Sequence, residues 1–88
     1  MQTKKSRGQK TKTGAFEVEY GRALKYYRDR SNKSQEEMAK HLNVSLQQYQ
    51  KYETGKNKIS IATEKEIAKF LEFTRFEFVE KIEKLIKI

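Results

Sequence analysis

The sequence predicts an all-α fold, a compact bundle of five short helices, on three observations. Proline is absent from all 88 residues, and no stretch of four or more alternates strictly with β-branched character. Apolar residues recur instead at spacings of three and four, the period of one helix face. Four Ser or Thr residues each stand three positions before a Glu or Gln, and each leads into an apolar stripe. At that spacing two side chains can satisfy two orphan amide donors reciprocally, which is how many helices start.

The first helix is expected over about 16–30, where Phe16, Tyr20, Ala23, Leu24 and Tyr27 share a face. Ser31-Asn32-Lys33 breaks it, and Asn32 tolerates a left-handed conformation. Ser34 with Glu37 opens a second helix at 35–42, which offers Met38, Ala39 and Leu42 to a core. Asn43 can supply a left-handed turn residue, Val44 plugs the turn, and Ser45 with Gln48 opens a third helix at 46–53. That helix turns Tyr49 and Tyr52 inward, and Gly55 falls just past its end, where a left-handed residue is expected. A fourth helix over 61–72 starts from Thr63 with Glu66, with Ser60 as the alternative start. Thr74 with Glu77 opens a fifth at 75–87.

Composition narrows the function. Twenty Lys and Arg against twelve Asp and Glu give a formal charge of +8 and a pI near 9.7. The length suits one small domain. With no Cys and one His, a disulfide framework and a Cys/His zinc site are excluded. There is no Gly-rich phosphate loop and no clustered acid/base pair, so neither an enzyme nor a cofactor is expected. No apolar run approaches a membrane span, and the basic start lacks the apolar stretch of a secretory signal; a cytoplasmic protein is expected. Excess positive charge favours a polyanionic partner, nucleic acid first.

The charge is graded. Residues 1–13 carry Lys4, Lys5, Arg7, Lys10 and Lys12 with no acid; residues 14–59 hold nine basic and six acidic side chains; residues 60–88 hold six of each. The first segment has no apolar residue between Gln2 and Gly14, so it is expected to be a disordered arm, either a solvated tail or one that follows phosphates. Residues 14–72 are expected to form the DNA-binding domain, and 73–88 a last helix belonging to the same domain.

The informative stretch is 34–56, SQEEMAKHLNVSLQQYQKYETGK. A helix, a three-residue turn and a second helix, with small Ala39 where the two cross, is the geometry that lays a helix in the DNA major groove. Residues 21–71 resemble the phage-repressor/Cro-type (XRE-like) helix-turn-helix family. The resemblance rests on Arg28, Ser34-Gln35, Met38-Ala39, Asn43-Val44-Ser45 and Glu53-Thr54-Gly55. Lys33 stands where that family usually has an apolar residue, Asn43 replaces its turn Gly, and Ile59 replaces a common Pro.

The resemblance implies a lambda-repressor-like bundle that binds double-stranded DNA. It implies that Ser45, Leu46, Gln47 and Lys51 face base edges, with Gln50 close by. Gln35 would bond a phosphate; Gly55, Lys56 and Asn57 would bring backbone amides and a cation to the phosphate chain, with Lys58 beside them. Arg28 and Glu53 would form a buried ion pair that holds the recognition helix. The chemistry agrees: Gln can pair bidentately with adenine, Lys can donate to guanine, and Leu46 can touch a thymine methyl. His41 and Tyr26 are expected to be surface side chains.

The last third is the most apolar. Phe76, Val79, Ile82 and Ile86 form a stripe, Leu85 flanks it, and Phe78 and Ile88 lie away from it. With Phe73, this stripe is the candidate homodimer interface; the alternative is that the helix only closes the core. The function expected is a sequence-specific, homodimeric repressor reading a palindromic operator through helix 46–53. The alternative is an antitoxin whose apolar carboxyl end binds a toxin while the helix-turn-helix autoregulates.

Overall fold

Capping chemistry sets the helix starts. A computed structural model describes residues 14–86. These form α1 (Ala15–Arg30), α2 (Gln35–Leu42), α3 (Leu46–Glu53), α4 (Ile61–Phe70) and α5 (Arg75–Ile86), with no strand among the described residues. The Ser34 hydroxyl accepts the Glu37 amide at 3.0 Å, and the Glu37 carboxylate accepts the Ser34 amide at 2.7 Å. Thr74 and Glu77 make the same reciprocal pair at 3.1 and 2.8 Å. Ser45 accepts from Gln48, and Ser60 from Thr63. The start of α4 is therefore Ser60, the alternative to Thr63. The N-terminus of α1 closes differently: the Gly14 amide donates to the Glu17 carboxylate at 2.9 Å.

The first four helices all end in the Schellman motif, in which a left-handed residue lets two amides reach back to otherwise orphaned carbonyls. The left-handed residues are Asn32 and Asn43, each with φ 59°, Gly55 with φ 78°, and Glu72 with φ 68°. After α4, the Glu72 amide donates to Lys69 and the Phe73 amide to Ala68. This shortens the fourth helix from the expected 72 to Phe70. The cause is Phe73, which must turn off the helix to reach the core cluster it packs against. The basic arm at 1–13, residue 87 and Ile88 lie outside the described residues.

All five helices contribute to one core, in which Leu24, Met38, Tyr49, Ile67, Phe78 and Ile82 are fully buried. Pairwise, α1 packs on α3 and α5, α2 on α3 and α4, and α4 on α5. Gly21 makes the α1–α3 crossing possible, because a Cβ there would lie 2.3 Å from the Glu53 carbonyl oxygen. Lys33 is accommodated without an apolar side chain: its ammonium sits 4.7 Å from the Phe70 ring centroid, and its carbonyl accepts from Arg28 at 2.8 Å.

The inward face of α5 differs from the expected stripe. Phe78 and Ile82, one turn apart, enter the core, while Phe76 is 76% exposed. Phe73 and Ile86 are half-buried against the chain's own core. Ile82 is 1% exposed and has no surface to offer a partner. The stripe was drawn through Phe76, whose side chain lies well round the helix from Ile82; the pair spaced by four, Phe78 and Ile82, marks the buried face instead.

Candidate nucleic-acid interface

The site is built from the turn outward. Asn43 ends α2 in the left-handed conformation, Val44 is half-buried in the turn, and Ser45 caps α3. Ala39, almost wholly buried, lets α2 and α3 cross. On α3, Tyr49 is fully buried and Tyr52 partly so, which fixes which side of the helix faces outward. That outer side carries Leu46, Gln47, Gln50 and Lys51, all exposed, with exposed Ser45 at its start. The five residues expected from the sequence to face bases thus share one open surface. Ser45 spends its hydroxyl oxygen on the cap and keeps its hydrogen to donate.

Behind this surface lies a buried charged cluster. Arg28 Nε meets Glu53 Oε2 at 2.5 Å and Nη2 meets Oε1 at 3.3 Å, with both side chains less than a tenth exposed. Burial disfavours the Arg28 charge, but hydrogen bonding and attraction from Glu53 outweigh it and raise the guanidinium above its ordinary value. The Tyr49 hydroxyl donates to Glu53 at 2.6 Å, and Gln35 Nε2 donates to the same carboxylate at 2.9 Å. Burial and the Glu53 hydrogen bond push the Tyr49 hydroxyl up, so it stays neutral and donating. The pair joins α1 to α3, and Gln35 adds α2. It positions α3 and has no surface from which to read bases.

The loop after α3 departs from expectation. The amides of Gly55, Lys56 and Asn57 donate back into the chain, to Tyr52 at 3.3 Å and to Lys51 at 2.9 and 3.3 Å. They are occupied in closing the helix. Gly55 is buried, and a Cβ on it would lie 2.6 Å from Val18 Cα, so its role is structural. What this loop offers a phosphate is side chains: exposed Lys56 and Lys58, and half-buried Asn57.

Two features escaped the sequence reading. Gln50 Nε2 donates to Gln35 Oε1 at 3.2 Å, linking the outer face of α3 to the buried cluster. A second buried carboxylate, Glu64, accepts from the Tyr20 hydroxyl and from Arg75 Nε at 2.7 Å, tying α4 to α1 and α5. Burial, then the Glu64 bond, raises the Tyr20 hydroxyl. Beside it runs a cleft of about 230 Å³ whose apolar walls are Phe16, Tyr52, Ile59 and Val79. In the sequence only the apolar ring of Tyr20 carries a signal, and nothing in its spacing shows a partner 44 residues away.

Among the described residues, no helix is long and apolar enough to cross a membrane, and no His/Cys/Asp/Glu group could hold a metal ion. A helix-turn-helix with an exposed polar second helix, braced from behind and flanked by lysines, defines a DNA-binding transcriptional regulator, a non-enzymatic class. The chain belongs to the helix-turn-helix family: that family's model matches residues 24–79. No curated protein sequence matches it. The crystal structure of the clp gene regulator ClgR from Corynebacterium glutamicum is similar, with a TM-score of 0.75 at 16% identity, over 85% of this chain and 80% of that one. At that identity the likeness shows the fold alone.

Proposed function

We infer that the chain binds double-stranded DNA sequence-specifically and acts as a homodimeric repressor, by occlusion, of a palindromic operator. The observation that carries this is the outer face of α3: Leu46, Gln47, Gln50 and Lys51 are exposed together while Tyr49 and Glu53 anchor the opposite side. Gln47 and Gln50 suit adenine, Lys51 guanine, and Leu46 a thymine methyl. Gln35, Lys56, Asn57 and Lys58 set register on the phosphates and add salt dependence. A twofold dimer would place two α3 helices about 34 Å apart, matching half-sites one turn apart.

The dimer face is narrower than the sequence stripe. Phe76 is exposed on α5, and half-buried Val79 lines the cleft together with Phe16. Exposed Phe76 also fits the second reading, an antitoxin that neutralises a toxin through its carboxyl end. Sedimentation of the purified chain separates the two: a dimer that dissociates on Phe76→Ser supports self-association, and a monomer at all concentrations excludes it. The DNA function is tested by a gel-shift titration with DNA flanking the chain's own gene against a scrambled duplex of the same composition. Preference for the flanking DNA is expected; equal affinity for both contradicts sequence-specific binding.

A further inference from the structure

We propose that the cleft beside Glu64 is an effector site for a small carboxylate with an apolar body, which competes with DNA phosphates for Lys58. The competition rests on the DNA-binding function above; the site itself does not.

Three parts of the fold meet at this cleft. α1 brings Phe16, α5 brings Arg75 and Val79, and the end of α3 with the loop after it brings Tyr52, Lys58 and Ile59. Its volume of about 230 Å³ lies below the roughly 300–1,000 Å³ of sites for drug-sized ligands, so it suits a smaller molecule. The four apolar walls are all partly open to water, Phe16 by 47%. Covering them supplies the hydrophobic part of binding.

The sign of the ligand follows from which charges are already used. Glu64 accepts from the Tyr20 hydroxyl and Arg75, and Glu17 accepts the Gly14 amide at 2.9 Å. Glu83 lines the cleft but stands exposed to solvent. Arg75 spends only Nε, 2.7 Å from Glu64 Oε1; among the described residues its two Nη nitrogens make no hydrogen bond. Their outer edge is a planar fork of N–H groups, the geometry that takes a carboxylate bidentately. Lys58 lines the same cleft and is exposed. In a chain of net charge +8, this arrangement favours an anion over a cation.

Lys58 couples the cleft to DNA. Its ammonium serves either a ligand carboxylate or a phosphate. A bound carboxylate therefore removes one phosphate contact, which weakens binding to all sequences alike and leaves base preference unchanged.

The test titrates the full chain by calorimetry with octanoate, octylammonium and octanol, which share one apolar body and differ in charge. Octanoate is expected to bind at least about tenfold more tightly than octanol, the gain from one charge-assisted contact, and octylammonium more weakly than octanol. This comparison needs no variant. Arg75→Gln, which keeps an amide for Glu64, is expected to remove the octanoate advantage. Arg22→Gln removes the same charge outside the cleft and is expected to leave octanoate binding unchanged. Equal affinity for octanoate and octanol, tighter binding of octylammonium, or equal loss in the two variants overturns the site. Binding of none of the three, as when a second copy covers the cleft, overturns it too. DNA binding is then measured at matched ionic strength on a duplex enriched from a random pool by the wild type. Octanoate is expected to lower the salt slope by about one, as loss of one phosphate contact does, for the enriched and a scrambled duplex alike. An unchanged slope overturns the competition. A chain that binds no duplex contradicts the DNA-binding function, while the titration still decides the site.

Discussion

Two buried carboxylates hold this fold, and they are built alike but placed differently. Glu53 is held by Arg28 and Tyr49, with Gln35 added; Glu64 is held by Tyr20 and Arg75. Each unites three helices: Glu53 through Arg28 and Gln35, with Tyr49 on its own helix, and Glu64 through Tyr20 and Arg75. Arg28 is sealed inside, whereas the Arg75 side chain is 41% exposed at the mouth of a cleft. A sealed pair must be complete, because water cannot replace a missing partner. An open pair can lose its arginine to solvent at little cost. The helix-turn-helix half is thus braced by a sealed pair, and the α4–α5 half is joined by a looser version of the same device.

Removing partners one at a time separates the two sites. Arg28→Ala strands Glu53 in the core and is expected to cost about 3–5 kcal/mol in urea unfolding, the range for a broken buried pair. In the same region, Gly21→Ala drives a methyl into the Glu53 carbonyl, and about 1–3 kcal/mol is expected unless α1 shifts. Glu64→Ala leaves the half-buried Tyr20 hydroxyl without its acceptor and should cost about 1–3 kcal/mol. Arg75→Ala, tested beside Arg28→Ala, should cost under about 1 kcal/mol, as exposed pairs do. Equal losses for the two arginine variants would erase the distinction between the sealed and open sites.

The smallest effects lie at helix ends. Glu72 holds φ 68° with a side chain that gains nothing from it, so Glu72→Gly should stabilise by about 0.5–1 kcal/mol in thermal unfolding. Backbone hydrogen bonds from Ser34 and Thr74 hold the Glu37 and Glu77 carboxyls below their ordinary value of 4.5. Because the folded values are the lower ones, their stabilisation is present above 4.5 and is lost as pH falls below it. Glu37→Gln with Glu77→Gln should flatten that part of the pH–stability curve.

The two halves also differ in how far the sequence reveals them. The helix-turn-helix half is legible because its signals are local: Ser34 with Glu37, Asn43, and Gly55 act within a few residues of themselves. The resemblance supplied Arg28 with Glu53, a contact 25 residues apart that spacing alone does not show. In the other half, Glu64 meets partners 44 and 11 residues away, and no pattern marks them. The buried face of α5 is hidden in the sequence for a related reason. Period alone admitted two faces, and Phe78 was decided by the rings of Tyr20 and Phe73 that receive it. Backbone amides of the 55–57 loop were likewise assigned outward, although closing α3 requires them inward.

The proposed function requires that the braced α3 read bases with its outer face. Its most direct test is the affinity ratio between an enriched duplex and its scrambled counterpart, measured for the wild type and for Gln47→Ala with Lys51→Ala. A high ratio for the wild type is expected, collapsing in the double variant while its unfolding curve stays unchanged. A ratio near one for the wild type, or a ratio that survives both substitutions, contradicts the claim.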